Sequence, residues 1–373
     1  MKAILTLIFV FSYALAWAQV DLYPSVTFRG HKYGVHGVAI SPDGSKILTI
    51  SGDSIAFLWD NKGNKLASLK GHMSKLRTGI FSPDGTKMLT SSYDGTARLW
   101  DLKGKNTATF IGHSHWLEGA IFSPDGNKVL TASNDNTARL WDLQGNTLAI
   151  FRGHKEYVTS AVFSPDGSKI VTSSYDNTAR LWDLEGKTIS TLTGHKTWVL
   201  TAAFPPQGDK ILTTTWDSTA RLWDIKGNTI ATFSGGKGRA YHAVFSPDGT
   251  KVLLACPNIT ARLFDLEGNT LATFRGHSKW VSHAVFSPDG TKIVTCAGDG
   301  TARLWDLQGN TLAIFRGMEY NVATADFFPN GNKVLIKASS DLTARIYDLP
   351  KNLGAKAATT PLPKKSKKSL KNK

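Results

Sequence analysis

Between Val158 and Leu192 short apolar and β-branched runs alternate with tight polar breaks. Val158–Phe163 is the first run, and Ser164-Pro165-Asp166-Gly167 follows with proline, aspartate and glycine in the order that suits a tight reversal. Lys169–Ser173 then reads as a second strand, Asp176-Asn177 as a turn and Thr178–Trp182 as a third strand. Glu185-Gly186 makes another turn before Thr188–Leu192, a fourth strand rich in β-branched residues. The stretch predicts one meander of four short antiparallel strands.

The pattern repeats with a period of 41 residues. Gly-His stands at 30, 71, 112, 153, 194 and 276, and Trp-Asp at 59, 100, 141, 182, 223 and 305. A unit of this size cannot bury a core alone, so the 373 residues predict one array in place of two or three ordinary domains. Four-stranded sheets set radially cover one another's faces and close without a long exposed edge, which predicts an all-β, closed β-propeller. Units begin at Gly30, Gly71, Gly112, Gly153, Gly194, Gly235, Gly276 and Gly317, giving eight blades, or seven if the final unit is not a blade.

Gly153-His154, Ser164-Pro165-Asp166-Gly167 and Asp176-Asn177-Thr178-Ala179-Arg180-Leu181-Trp182-Asp183 together resemble a WD repeat, and the resemblance covers residues 25–348. It implies that Ser25–Arg29 supplies the outer strand that the final unit lacks after Tyr347-Asp348, closing the ring. It also implies a hydrogen-bonded network of His, Thr, Asp and Trp inside each blade, in which imidazole, hydroxyl and indole N–H serve a buried carboxylate. The sets are His31, Thr49, Asp53, Trp59; His72, Thr90, Asp94, Trp100; His113, Thr131, Asp135, Trp141; His154, Thr172, Asp176, Trp182; His195, Thr213, Asp217, Trp223; and His277, Thr295, Asp299, Trp305. A recurring His and Asp also invite a catalytic reading, but six copies of one constellation around a ring point to framework. The sixth unit departs, with Gly236, Leu254, Asn258 and Phe264, and so does the eighth, with Met318, Tyr347 and one extra residue before Asp341.

The ends change the picture in two ways. Lys2, the apolar run Ala3–Leu15 and Ala16-Trp17-Ala18 have the parts of a secretory signal peptide, so residues 1–18 are expected to be removed and 19–350 to form the propeller. Residues 351–373 hold eight lysines and no acid, so with Lys2 also removed residues 19–350 carry only +6 of the net +15; this tail lacks apolar periodicity and is expected to be disordered. Export places Cys256 and Cys296 where a disulfide is chemically allowed, but their repeat positions differ by one residue, which in strands turns side chains to opposite faces, so two buried free thiols are expected. His242 and His283 share one repeat position in the units that carry these cysteines; a metal site would need all four to converge, and none is expected, nor any cofactor.

Function is sought where the copies differ, because shared residues build the blade. Three residues after the Gly-His histidine position stand Gly34, Lys75, Trp116, Tyr157, Trp198, Arg239, Trp280 and Asn321; just before the turn aspartate or its equivalent stand Gly52, Tyr93, Asn134, Tyr175, Trp216, Pro257, Gly298 and Ser340. The resemblance places both sets at one end of the ring. Lys75, Tyr93, Trp116, Tyr157, Tyr175, Trp198, Trp216, Arg239 and Trp280 are the candidate partner-binding residues, since aromatic and guanidinium groups suit a protein or peptide. For Trp116, Trp198 and Trp280, packing at the blade edge is the competing assignment. No phosphate loop, Gly-x-Ser-x-Gly elbow, His-Glu-x-x-His or Cys-x-x-Cys occurs. The expected function is a non-catalytic exported scaffold. The rivals are an enzyme acting in the central channel and a binder of glycan or anionic cell-surface material helped by the basic tail; nucleic acid is a poor partner for an exported chain.

Overall fold

The computed structural model describes residues 20–217, 219–236, 242–256, 258–318, 321–338, 342–351 and 353. The expected leader and nearly all of the expected tail lie outside them, as does Arg239. Within them the chain forms eight antiparallel meanders, each four strands wide. The fourth blade comprises Val158–Phe163, Ile170–Ser174, Ala179–Trp182 and Thr188–Leu192, within a residue or two of the limits expected from its turns.

The turn chemistry sets these limits. Gly167 N–H donates to the Ser164 carbonyl over 2.8 Å, with Pro165 at the second turn position and Gly167 at φ +71°. At the same end of the blade, the aspartate of Trp-Asp caps the last turn: the Asp183 carboxylate accepts from Lys187 N over 2.7 Å, and Asp224 accepts from both the backbone N–H and the side-chain amide of Asn228 at 2.8 Å. The second strand is buried on both faces, because the neighbouring blades cover it, whereas the outer strand is open along much of its length.

The core lies between blades. The tryptophan of one blade packs on a phenylalanine at the end of the preceding blade's outer strand: Phe151 on Trp182 at 5.8 Å, Phe110 on Trp141 at 5.9 Å and Phe274 on Trp305 at 5.7 Å between ring centroids. Ring closure repeats this contact. Val26–Phe28 pairs antiparallel with Ala344–Asp348 as the outer strand of the eighth blade, and Phe28 meets Trp59 of the first blade at 5.6 Å. Lys337 Nζ adds a hydrogen bond of 2.8 Å to the His36 carbonyl across the same seam. The eight expected blades and their closure by the N-terminal strand are therefore present. One strand was not foreseen: Val20–Leu22 lies parallel to Thr311–Phe315 and gives the seventh blade a fifth strand.

Where the network is missing, packing takes its place. In the sixth blade Leu254 is fully buried and Phe264 packs on Phe233 at 5.4 Å; in the eighth, Tyr347 turns its hydroxyl to the Arg316 carbonyl at 2.8 Å. Cys256 and Cys296 are free thiols in different inter-blade cores, and burial pushes the Cys256 thiol up to about 12.

Candidate partner-binding face

The repeated polar residues build the support for the variable ones. In the fourth blade Trp182 Nε1 donates to Thr172 Oγ1 over 2.8 Å, and His154 Nε2 lies 2.7 Å from the same oxygen. His154 Nδ1 lies 2.8 Å from Asp176 Oδ2. A neutral imidazole with its proton on Nδ1 satisfies every group: Thr172 accepts from the indole and donates to Nε2, and the imidazole donates to the carboxylate. Burial alone would raise the Asp176 carboxyl, but hydrogen bonds from His154, Thr178 and the Lys155 amide outweigh it and hold the carboxyl well below its usual range. The same contacts join His72, Thr90, Asp94 and Trp100, His113, Thr131, Asp135 and Trp141, and His277, Thr295, Asp299 and Trp305, with His–Asp distances of 2.7–2.9 Å. In the first blade the His31 Nδ1 to Asp53 Oδ2 distance widens to 3.2 Å, while Thr49 still joins His31 and Trp59.

The fifth blade departs from the expected network. His195 and Trp223 share Thr213, but Asp217 accepts from Thr215 and Thr219, both at 2.6 Å, and His195 Nδ1 is left without a hydrogen-bond partner. Thr215 stands where the fourth blade has Ser174; its hydroxyl draws the carboxylate away from the imidazole. Burial, then the positive charge of Arg221, lowers His195 to about 4.

This framework holds the two loops that carry the variable residues. Asp176 takes the Lys155 amide, Ser174 Oγ donates to the Glu156 carbonyl over 3.0 Å, and Tyr175 N–H donates to the Tyr157 carbonyl over 3.0 Å. Equivalent backbone bonds join Tyr93 to Lys75, Asn134 to Trp116, Trp216 to Trp198 and Gly298 to Trp280 at 2.9–3.2 Å. The two variable positions of a blade are thus locked side by side. Gly153 lets the chain enter this loop: its φ is +153°, and a Cβ there would lie 2.9 Å from Arg180 Nη1, whose guanidinium covers Trp182.

The variable aromatics form a continuous arc across blades two to five. Tyr93 stacks on Trp116 at 5.0 Å, His115 next to it stacks on Tyr157 at 5.8 Å, Tyr157 meets Tyr175 at 6.0 Å, Tyr175 stacks on Trp198 at 4.5 Å, and Trp198 meets Trp216 edge-on at 5.3 Å. Trp116, Trp198 and Tyr157 remain 49, 44 and 38% exposed. His115 was not among the candidates; it joins the arc because the third blade has Asn134 where its neighbours have an aromatic ring, and no repeat position marks it in the sequence. Lys75 is exposed at the arc's start, beside a recess of ≈ 520 Å³ lined by Tyr33, His36 and Asp53. Trp280 stands apart. A Cβ on Gly298 would meet its indole at 2.6 Å, so the ring lies flat against that backbone and is half-buried.

His242 and His283 stack at 4.1 Å beside the channel, and His242 pairs across the sheet with Ala255, not with Cys256. Among the described residues, no three of His, Cys, Asp and Glu converge as metal ligands, and no helix is long and apolar enough to cross a membrane.

The profile of the IFT122 first beta-propeller matches residues 116–360, more than half of the chain, and that of the WD domain, G-beta repeat, matches residues 22–60 and 63–101. No curated protein matches the chain. A crystal structure of the computationally designed Ika8 protein superposes with a TM-score of 0.77 at 23% identity, covering 88% of this chain and 100% of that one, a likeness of fold alone. With its repeats matched by these profiles and its eight blades closed through Val26–Phe28, the chain belongs to the WD-repeat β-propeller family.

Proposed function

We propose that this propeller is an exported, non-catalytic scaffold that captures a protein or peptide partner on the aromatic arc. WD-repeat propellers typically serve as protein-interaction scaffolds. The observation that carries the reading is the row of stacked, partly exposed rings from Tyr93 to Trp216, held by a hydrogen-bonded framework. Rigid rings offer large contact area at little cost in side-chain entropy, and stacking on one another keeps them in place before a partner arrives. In the first to fourth and seventh blades the recurring His and Asp are occupied in holding these loops. Export rests on the leader pattern of residues 1–18; cleavage after Ala18 removes none of the described strands.

The test is crosslinking of the intact protein in the exported fraction, followed by mass spectrometry, with wild type beside Tyr175→Ala/Trp198→Ala. A crosslinked protein set lost in the double variant supports the reading. The same set captured by both proteins overturns it, and capture abolished by glycosidase treatment reassigns the arc to sugar.

A further inference from the structure

The end of the ring opposite the aromatic arc is built from different chemistry. In seven repeats phenylalanine closes the inner run and proline follows within two residues, so phenylalanine and proline side chains gather at the inner-strand ends. A recess of ≈ 510 Å³ opens there, walled by Phe204, Phe245, Phe286, Phe327, Pro247 and Pro288. An apolar wall open to water at one end of a ring is a docking surface.

The chain itself leaves the ring at this end. The last strand, Ala344–Asp348, runs towards the proline turns, and Leu349 N–H donates to the Asn332 carbonyl, in the turn that follows Phe327, over 2.8 Å. Leu353, the last described residue, is half-buried and packs, as Leu349 and Phe327 do, on the core between blades seven and eight. Phe327 is also a wall of the recess, so the described chain ends on the core that this wall shares. Beyond it, in residues 354–373, the apolar side chains larger than alanine are Pro361, Leu362, Pro363 and Leu370. The inner strand lies two strand spacings, about 10 Å, from Ala344–Asp348. The stretch from Leu353 to Pro361 reaches up to about 26 Å, so Pro361-Leu362-Pro363 spans that gap with length to spare.

Its chemistry suits the recess. Flanking prolines favour the extended polyproline form, which presents its side chains outward and loses little entropy on meeting an aromatic-lined groove. Lys364, Lys365, Lys367 and Lys368 follow directly. On the rim, the lining prolines Pro165 and Pro288 are each followed by an exposed aspartate. Asp166 accepts from Ser164 and Ser168 and Asp289 from Ser287 and Thr291, within their own turns, whereas Asp209 and Asp248 already pair with Lys210 and Lys251. We propose that Pro361-Leu362-Pro363 docks in the recess, with Leu362 against the phenylalanine wall and the following lysines over Asp166 and Asp289, so that the tail covers this end of the ring. A tether this short holds the segment at an effective concentration of order millimolar, so a contact of about millimolar affinity as a free peptide is docked about half the time.

The probe is the full chain carrying Thr360→p-benzoylphenylalanine, irradiated, digested and read by mass spectrometry. Crosslinks to residues 203–206, 244–247 or 286–288 of the same chain are expected, at a yield independent of protein concentration. Leu362→Asp removes the apolar contact and weakens docking about tenfold, which takes a half-docked segment to about one-tenth docked and lowers the yield about fivefold. This substitution lies outside the described strands and leaves the melting temperature unchanged. Ala203→Ile, a side chain that Ile80 and Ile121 already hold at this position of the second and third blades, narrows the recess and lowers the yield as well. No crosslink in the recess, a yield unchanged by Leu362→Asp, or crosslinks only between chains, which would give the recess to a second copy, overturns the proposal.

Discussion

Tyr175 of the fourth blade stacks on Trp198 of the fifth, with ring centroids 4.5 Å apart and planes 19° apart. Each ring is fixed by its own blade: Tyr175 donates its backbone N–H to Tyr157, and the Trp198 carbonyl accepts from Trp216. The contact therefore spans two independently held loops, which makes the arc a rigid surface.

Removing that contact should matter little for folding. An aromatic pair contributes about 0.5–1.5 kcal/mol beyond its area burial, so Tyr175→Ala/Trp198→Ala is expected to lower the melting temperature by only a few degrees while abolishing partner capture. Differential scanning calorimetry beside the crosslinking assay checks this. A loss of tens of degrees would assign the pair to the fold.

The fourth and fifth blades should respond differently to the same substitution. Asp176 accepts from His154, Thr178 and the Lys155 amide, whereas Asp217 does not reach His195. Asp176→Asn is expected to cost about 1–3 kcal/mol in urea denaturation, and Asp217→Asn clearly less. Equal costs would show that the His195 contact forms in solution.

Acid should weaken the protein before the carboxylates other than Asp326 titrate. Burial lowers His195 and His242 to about 4 in the folded state, so between roughly pH 6.5 and 4 the unfolded chain binds protons that the folded chain does not. Stability is fully present above that window and falls through it, by about 2 kcal/mol per imidazole near pH 5. His195→Gln should flatten the denaturation midpoint against pH. A wild-type midpoint that stays constant from pH 7 to 5 contradicts the prediction.

Asp326 has the opposite sign. Its folded value, about 6 against 3.8, lies above the unfolded one, so its cost is complete above about pH 6 and disappears as pH falls below about 4. Asp326→Val is expected to stabilise the protein by about 3 kcal/mol at neutral pH and hardly at all near pH 4, as read from urea midpoints.

Ring closure gives the last expectation. Phe28 is 2% exposed and packs on Trp59 across the seam between the last and first blades. Phe28→Ala should cost about 3–5 kcal/mol, near the loss from Phe151→Ala within the ring. A much smaller loss at Phe28 would mean that the seam is open in solution.

The blades and their number were legible in the sequence because each follows from local causes, while the closing strand was legible through the resemblance to WD repeats. Ser164-Pro165-Asp166-Gly167 turns the chain whatever lies around it, and the period counts the sheets directly. Val20–Leu22 was not legible: three residues without a flanking turn signal carry too little pattern to announce a strand, and only the free edge of Thr311–Phe315 selects them. Tyr93, Trp116, Tyr157, Tyr175, Trp198 and Trp216 could be picked out as variable loop aromatics, but not as neighbours.

By itself the sequence determined the repeated meander and its eight copies, since strand alternation and turn chemistry act over a few residues; the His, Thr, Asp and Trp framework followed from the resemblance to WD repeats. Tertiary structure alone decided which aromatics stack, that Trp280 lies against Gly298 while Trp198 stands half-exposed, that His195 loses its aspartate, and that Asp326 is buried deeply enough to raise its carboxyl. Those outcomes depend on what the next blade places within a few ångströms, a relation between residues some 41 positions apart that no local pattern encodes.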